Sequence, residues 1–424
     1  MIYIEVLDID CRSLNYTSFE LSGCSLLLII FYDIMSHQEK LMDSPTMSVL
    51  EKPNDDRFSS GPTRKIPNWS NHKIDEMLLG RQHRGPTGLA AIHRLLALLR
   101  DVLDIPETHK IALVNGGATG ATEFAMWNLL GERPVDVFSY GIFGDHWAHD
   151  VLSELKIRPV HNFSAPIGLL PDFERYNQAH DCVFVLHDTP SGVFVPNVDW
   201  IHSDHDGVVI CDVTSSVFCN DVPWSKLDAA SFSFQKGIGG EGGLGVVVLT
   251  RKAIDRLERY IPKHPMPRLY RGGVHSEGKR SINEDFFDGH VVNTISLLTV
   301  SDMILNLEWG QECGGLVKLK QRVESLYGIV RDWVAHTPWV DFLVSDESIR
   351  AKNSVCLTIL KDGQVASWEL LRKMIMFLDA NGIEAGILNY VHNRPSLRIW
   401  LGPVVEEIDV MRVLLWVEKA FYFC

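Results

Sequence analysis

The stretch FSFQKGIGGEGG, Phe232 to Gly243, carries the strongest local signal in this sequence of 424 residues. Lys236 follows an apolar run typical of a β-strand and enters a glycine-rich turn. A lysine amine can form an imine with an aldehyde cofactor when burial and neighbouring charges keep part of it deprotonated. Glycines let the backbone approach a phosphate or a flat ring closely. A solvated lysine in a surface turn would give the same pattern, so the stretch needs support from elsewhere in the chain.

Asp212 supports the cofactor interpretation, because it ends the hydrophobic run VVICD 24 positions before Lys236. A carboxylate at the carboxyl edge of a parallel sheet lies where open α/β folds bind ligands. An anionic group there keeps a pyridine nitrogen protonated, which pyridoxal 5′-phosphate (PLP) needs in order to withdraw electrons. A helix N-cap or a strand-end turn is the alternative role for Asp212.

The segment NGGATGATEF, Asn115 to Phe124, supplies a candidate phosphate loop. It follows the apolar run KIALV and opens a predicted helix, so backbone N–H groups would point at an anion. Its glycine spacing is not the G-x-G-x-x-G of a dinucleotide loop, and a phosphate loop is the simpler interpretation.

Apolar runs that alternate with helical stretches predict an α/β fold with a mostly parallel sheet covered on both faces. A helix is predicted from Pro86 to Ile105 by the spacing of its leucines and isoleucines. The predicted strands are KIALV (110–114), VDVFS (135–139), CVFVLH (182–187), GVVICD (207–212) and LGVVVLT (244–250).

The sequence pattern changes beyond about residue 300, where a long helical stretch is predicted from Trp309 to His336, followed by a mixture of strands and helices. We therefore predict a large domain over residues 51–310 and a small α+β domain over residues 311–424. Residues 1–50 are predicted to be an extension, either disordered or upstream of the true start. Its apolar run, Leu26 to Tyr32, is too short to span a bilayer and lacks the basic flank of a secretory signal.

Composition excludes some classes of protein. The formal charge of -14 argues against a nucleic-acid binder, although a local basic cluster could still hold a small anion. The cysteines show no metal-ligand or C-x-x-C spacing, so we expect reduced thiols and a cytoplasmic protein with no metal. They are Cys11, Cys24, Cys182, Cys211, Cys219, Cys313, Cys356 and Cys424.

Seven segments, in this order along the chain, resemble the phosphoserine aminotransferase family of class V, in particular the branch found in methanogens and some proteobacteria. The resemblance covers roughly Lys52 to the C-terminus and implies the type I fold of PLP-dependent transferases, with a seven-stranded sheet. The segments are RFSSGPTRKIP (57–67), QHRG (82–85), the glycine loop, HDTPSGV (187–193), ICDVTSS (210–216), QKGIGG (235–240) and VNTIS (292–296).

The resemblance assigns roles around the cofactor ring. It makes Lys236 the Schiff-base lysine and the proton carrier, and it pairs Asp212 with the pyridine nitrogen. Thr189 would hydrogen-bond the ring hydroxyl. One aromatic side chain should stack on the ring, with Phe143 as the first choice and Trp147 as the second.

For the cofactor phosphate, the resemblance implies backbone N–H groups of Ala118 and Thr119 and the side chain of Gln235. Asn293 and Thr294 would reach the same phosphate from a partner subunit, which implies an obligate homodimer with shared sites. Thr119 departs from the family, because some members carry arginine at this position.

For the substrate, the resemblance makes His83 and Arg84 a phosphate-binding pair and Arg398 the arginine that holds the α-carboxylate. The planar fork of arginine suits a carboxylate. Arg398 could instead be a surface strand residue.

The implied reaction is a ping-pong transfer of an amino group from L-glutamate to 3-phosphohydroxypyruvate, as in serine biosynthesis. The phosphorylated keto acid of vitamin B6 biosynthesis is a second possible acceptor. Two alternatives stay open: an aminotransferase of the alanine–glyoxylate or serine–pyruvate type, and a PLP-fold protein that only binds.

Overall fold

The computed structural model describes residues 50–276, 279–282, 284–389 and 394–424. The chain divides into a unit of residues 1–51 and a unit of residues 52–424. The predicted N-terminal extension, together with Cys11 and Cys24, therefore lies outside the described residues except for residue 50. Because residues 52–424 form one unit, the domain boundary at residue 310 stays a prediction.

A seven-stranded sheet forms the centre of this unit, in the order β1-β9-β8-β7-β4-β2-β3. All neighbours are parallel except β9, which is antiparallel to both β8 and β1. The strands, including the small β5–β6 hairpin, are β1 (Lys110–Asn115), β2 (Val135–Ser139), β3 (Val160–Ser164), β4 (Asp181–Val185), β5 (His187–Asp188), β6 (Val193–Phe194), β7 (Val209–Asp212), β8 (Ala229–Ser233) and β9 (Leu244–Leu249).

The predicted α/β fold with a mostly parallel sheet is confirmed. Each predicted strand is present within a few residues, but apolar content alone could not reveal that LGVVVLT runs antiparallel. Strand β3 was not predicted, because this edge strand is half-buried or exposed and reads VHNFS.

Helices cover both faces of the sheet, each over its own hydrophobic core. The helices of this part are α1 (His72–Asp75), α2 (Pro86–Leu103), α3 (Gly117–Leu129), α4 (Ile142–His149), α5 (Arg251–Arg259), α6 (Glu284–Phe287) and α7 (Leu297–Glu312). Side chains of α2 and α7 pack on one face, and those of α3, α4 and α5 pack on the other.

A smaller antiparallel sheet follows, in the order β12-β13-β16-β15, with β14 on β13. The remaining strands and helices are β10 (Gly273–Ser276), β11 (Lys279–Ile282), α8 (Gly315–His336), β12 (Val340–Phe342), β13 (Ser354–Lys361), β14 (Gln364–Val365), α9 (Trp368–Ala380), β15 (Leu388–Asn389), β16 (Ser396–Trp400) and α10 (Glu407–Phe423). None of the described helices is long and apolar enough to cross a membrane.

The predicted helical stretch from Trp309 to His336 is helical in the structure except at Cys313 and Gly314, where α7 has ended and α8 has not yet begun. Gly314, between the two helices, and Gly315, the first residue of α8, have φ values of 103° and 70°. This left-handed backbone suits glycine and ends a right-handed helix.

The segment from Arg57 to Pro67 joins the small sheet to the turn that carries Lys236. The N–H of Trp400 donates to the carbonyl of Phe58 at 3.1 Å, and the N–H of Thr63 donates to the carbonyl of Gln235 at 3.3 Å. A buried ion pair from Arg64 to Asp409, 2.7 Å long, fixes the segment against α10. Residues that are remote in sequence thereby meet at the edge of the central sheet.

The described cysteines make no disulfide. Cys182, Cys211, Cys219 and Cys356 are buried thiols, and Cys313 and Cys424 are partly exposed.

Candidate active site

The carboxyl ends of the parallel strands gather the polar residues that the sequence singled out. Asp212 is the last residue of β7, and Lys236 follows β8 by three residues. Thr189 follows β4. Asn115 ends β1, which points the same way as β8 because both are antiparallel to β9. This edge is where an open α/β sheet binds ligands.

Lys236 is buried, with only 8% of its surface exposed. Its Nζ donates to Thr189 Oγ1 at 2.7 Å and to Ser215 Oγ at 2.8 Å. Burial lowers the pKa of Lys236 to about 8; Asp212 raises it and Arg398 lowers it further. The amine is therefore partly neutral near physiological pH, as imine formation requires, and the alternative of a solvated surface lysine does not apply.

This pKa predicts how the apoprotein takes up its cofactor. The second-order rate of PLP uptake should rise with pH and level off above about pH 8, because only the neutral amine attacks an aldehyde. With an ordinary exposed lysine, the rate of PLP uptake would keep rising up to about pH 10.4. Stopped-flow absorbance between pH 6 and 10 measures the profile, and a continued rise through pH 10 would contradict the lowered pKa.

Asp212 is buried, and its Oδ1 accepts hydrogen bonds from the N–H and the hydroxyl of Thr214 at 3.0 and 2.6 Å. Burial raises the pKa of Asp212, while these two bonds and Lys236 oppose the shift. Asp212 therefore does form a turn at the end of its strand, but both hydrogen bonds of that turn go to Oδ1. The carboxylate can shape the turn and still offer Oδ2 to a cationic ring nitrogen.

The glycine loop lies at the start of α3. Gly116 and Gly117 have φ values of 92° and 63°, and the N–H groups of both point at the carbonyl of Gly243 at 3.1 Å. Ala118 and Thr119 follow in the first turn, where N–H groups have no partner within the helix. Ala118 is half-buried and Thr119 is exposed, so their N–H groups can bind an anion.

The predicted aromatic residues lie on α4. The Nζ of Lys236 is 5.4 Å from the centre of the Phe143 ring. Trp147 is buried, and its indole N–H lies near Asp212 without the geometry of a hydrogen bond. Of the two, Phe143 is the one that faces the lysine amine.

The residues that hold Lys236 include some that the sequence did not single out. Besides holding the amine, Ser215 contacts the hydroxyl of Thr189. The small sheet fixes both loops, because Asn353 Nδ2 donates to the carbonyl of Ser215 and Ser354 Oγ to that of Thr189, each at 2.7 Å. Buried His187 donates from Nδ1 to the Ser215 carbonyl at 3.0 Å.

His187 adds no charge near Lys236. Burial, with help from Lys236, lowers the pKa of His187 to about 3, so its ring is neutral. Ser215 and His187 lie inside the quoted segments ICDVTSS and HDTPSGV, but only the fold could show that the Ser215 hydroxyl faces the lysine.

The predicted substrate residues lie in two places. Arg398, on β16, is close enough to lower the pKa of Lys236. The described contacts of His83 and Arg84 do not reach Lys236. His83 is buried, and burial together with Arg84 lowers its pKa. Arg84 Nη2 points at the carbonyls of Val291 and Val292, at 3.4 Å each.

Asn293 and Thr294 follow those two carbonyls. Asn115, just before the glycine loop, donates from its side chain to Asn293 Oδ1 in the same chain, and Thr294 is exposed. Gln235, just before Lys236, accepts a hydrogen bond from Ser233 Oγ. The role of Asn293 and Thr294 toward a partner subunit stays a prediction.

The donor set fits PLP on chemical grounds. A buried lysine with a lowered pKa, a buried carboxylate, a hydroxyl, an aromatic ring and a helix start with left-handed glycines converge on one sheet edge. These groups correspond to the aldehyde, the ring nitrogen, the ring hydroxyl, the ring face and the phosphate of that cofactor.

Comparisons with known proteins agree with this site. No protein-family model matches the sequence. The phosphoserine aminotransferase of Methanosarcina barkeri is 36% identical over 376 residues, which cover 88% of this chain and 99% of that protein. The same enzyme from Methanosarcina mazei is 36% identical over 375 residues, with the same coverage.

Solved structures show the same fold. A phosphoserine aminotransferase from Cytophaga hutchinsonii matches with a TM-score of 0.72 at 19% identity, over 86% of this chain and 98% of that one. The PLP-bound enzyme from Trichomonas vaginalis matches with a TM-score of 0.69 at 16% identity, over 85% and 99% of the two chains. Ureidoglycine–glyoxylate aminotransferase from Bacillus subtilis reaches 0.71 at 16% identity, over 88% and 94%, so the fold alone does not select a substrate.

Fold and site together define a PLP-dependent aminotransferase. The sequence identity narrows the class: the chain belongs to the phosphoserine aminotransferase family. The alternatives of another class V aminotransferase and of a protein that only binds the cofactor are not favoured.

Proposed function

We propose that the chain transfers the amino group of L-glutamate to 3-phosphohydroxypyruvate, giving O-phospho-L-serine and 2-oxoglutarate. One observation carries the proposal: Lys236 lies buried between Thr189 and Ser215, close to both Asp212 and Arg398. The related enzymes named for phosphoserine support the choice of substrate. We place the reaction in the cytoplasm.

Each residue of the site would have a separate role toward the cofactor or the substrate. Bound PLP would supply an electron-withdrawing ring that stabilises negative charge at the substrate α-carbon. Lys236 would hold the cofactor by its amine and move a proton to and from the α-carbon. Asp212 would keep the ring nitrogen protonated, and Phe143 would cover the ring face. Thr189 would hold the ring hydroxyl by a hydrogen bond.

The phosphate end would be held at the start of α3, by the N–H groups of Ala118 and Thr119 and by the side chain of Gln235. We propose a homodimer in which Asn293 and Thr294 reach the partner's phosphate site. Light scattering of the purified protein measures whether it is a dimer.

Two basic groups would bind the substrate from opposite ends. Arg398 would hold the α-carboxylate through its planar fork. His83 and Arg84 would bind the distal phosphate or, for glutamate, the distal carboxylate. Because Arg84 lies beside Val291 and Val292, it would share the subunit interface with Asn293. The vitamin B6 intermediate carries a phosphate too, so it is a second candidate acceptor.

Replacing Arg84 with alanine should separate this proposal from an enzyme of the alanine–glyoxylate type. Losing a hydrogen-bonded charge on a phosphate costs about 1.5–3 kcal/mol, so kcat/KM for phosphoserine should fall roughly 10- to 150-fold. The value for alanine, which has no distal anion, should hardly change. A glutamate-dependent assay with 3-phosphohydroxypyruvate measures the physiological direction.

Arg81 provides the matched control, because it is exposed and lies three residues before Arg84. The Arg81→Ala variant should keep the wild-type preference for phosphorylated substrates. Equal losses for alanine and phosphoserine in Arg84→Ala would favour the rival enzyme class.

A further inference from the structure

A second cluster of polar side chains lies near the amino ends of β2, β3 and β4, whereas Lys236 lies at the carboxyl ends of the parallel strands. Asp136 is the second residue of β2 and His161 is the second residue of β3, and the parallel register places them side by side. His180 immediately precedes β4, the neighbour of β2 on its other side. Three adjacent strands thus bring one carboxylate and two imidazoles together.

The two imidazoles converge on one oxygen. His161 Nδ1 lies 2.8 Å and His180 Nδ1 lies 2.9 Å from Asp136 Oδ1. The other oxygen, Oδ2, accepts from the backbone N–H of Asn177 at 2.9 Å, which fixes the carboxylate plane. One ligand atom from each of the three side chains lies within 4.8 Å of the other two.

We propose that Asp136, His161 and His180 bind a zinc ion. Zinc prefers nitrogen and oxygen ligands at about 2.0–2.2 Å in a tetrahedral arrangement, so neighbouring ligand atoms lie roughly 3.3–3.5 Å apart. The two nitrogen–oxygen separations, 2.8 and 2.9 Å, are shorter than that value, so each imidazole would have to move back from Asp136 by about 0.5 Å to admit the ion. The side chain of His161 is 50% exposed, while that of Asp136 is 1% exposed. The carboxylate of Asp136 is therefore held in place, while the imidazole of His161 can move. Because His161 faces solvent, a water molecule could supply the fourth zinc ligand.

Hydrogen bonding alone is the competing explanation for the cluster. Asn177 Nδ2 lies 3.2 Å from His180 Nε2, and the amide is oriented because Asn177 Oδ1 accepts from the N–H of Ala179 at 3.0 Å. This orientation favours a proton on Nδ1 of His180, whereas a metal bound at Nδ1 needs that proton on Nε2. Zinc binding therefore requires the exposed amide of Asn177 to turn away, which sacrifices only solvent-exposed hydrogen bonds.

The zinc ion would stabilise the sheet and would take no part in the reaction. Asp136 lies three residues from the carboxyl end of β2, so at about 3.3 Å per residue it is roughly 10 Å below the edge that carries Asp212 and Lys236. Its ligands come from β2, β3 and the turn before β4. A bound ion would pin the sheet edge formed by β3 to the two strands beside it.

Equilibrium dialysis of the PLP-loaded enzyme against Zn²⁺, after removal of metal and free cofactor, tests the proposal. The wild type should bind one more zinc ion per chain than His161→Gln and should gain thermal stability from it, with unchanged kcat. His93→Gln is the matched control, because His93 is 49% exposed beside Asp288 and has no third candidate ligand among the described residues. This variant should bind zinc like the wild type. Equal stoichiometry and affinity in the wild type and His161→Gln would overturn the proposal.

Asn177→Asp gives a second measurement that does not depend on removing a ligand. A carboxylate there can accept from Nε2–H of His180, which is the outer-shell arrangement that strengthens histidine ligands by roughly 10- to 100-fold. We expect zinc affinity to rise about tenfold, with loss of the gain when His180→Gln is added. Unchanged affinity in Asn177→Asp would show that His180 does not bind through Nδ1 and would overturn the three-ligand site.

Discussion

Replacing Lys236 with alanine should lower the rate of transamination by about 10⁴-fold, the upper end of the range for loss of one positioned acid–base group. The amine has two roles, because it attaches the cofactor and carries the proton, and no other amine is held within hydrogen-bonding distance of both Thr189 and Ser215 among the described residues. The assay is glutamate-dependent turnover of 3-phosphohydroxypyruvate, with the visible absorbance of the bound cofactor as a second readout.

Two variants show whether the loss comes from the amine itself. Lys236→Arg keeps a positive charge, but guanidinium stays protonated and cannot attack an aldehyde, so it should be as inactive as the alanine variant. Lys252→Ala is the matched control. Burial also lowers the pKa of Lys252, but this lysine pairs with Asp228 and does not contact Thr189 or Ser215. Small amines should partly restore Lys236→Ala, whereas substantial activity without added amine would contradict the role of Lys236.

The sequence was sufficient to predict the fold class and the residues that end strands. Lys236, Asp212 and the glycine loop each follow an apolar run, and the carboxyl ends of parallel strands meet at one edge whatever the loop conformations are. Local sequence rules therefore predicted that Lys236, Asp212 and the glycine loop lie at one edge of the sheet, as they do in the structure. The same rules could not show that β9 is antiparallel, because an apolar run has no direction.

Contacts between distant segments were beyond the reach of the sequence. The Ser215 loop, whose hydroxyl contacts Lys236, is held at its carbonyl by Asn353, 138 residues later, and by His187. The break between α7 and α8 was missed because the apolar spacing continues across it, although Gly314 and Gly315 were visible as a signal. The His161 and His180 pair on Asp136 has no sequence motif, since β2, β3 and the turn before β4 supply its members.

The two arginines predicted to bind the substrate lie in different parts of the structure. Arg398 lies on β16 of the small sheet, and its charge lowers the pKa of Lys236. Arg84 instead lies beside Val291 and Val292, just before Asn293. Arg398 is therefore positioned by the small sheet, whereas Arg84 lies beside the segment that leads to Asn293.

Asp212→Asn should reduce kcat by about 10²- to 10³-fold, the range for losing one preorganised electrostatic contact to charge that develops in the transition state. Asparagine keeps the shape and can still accept from Thr214, but it carries no charge to hold a proton on the ring nitrogen. Single-turnover kinetics with glutamate isolate the proton-transfer step, and the cofactor spectrum reports the ring. Cofactor affinity should fall as well.

Thr214→Val separates the charge of Asp212 from its role in the turn. It removes the 2.6 Å hydroxyl contact to Oδ1 but leaves the carboxylate and the backbone bond in place. We expect less than a tenfold loss, because the lost hydrogen bond opposes only part of the burial that raises the pKa of Asp212. If Thr214→Val were as damaging as Asp212→Asn, the carboxylate would serve chiefly to shape the end of β7, and the partner of the ring nitrogen would have to be sought elsewhere.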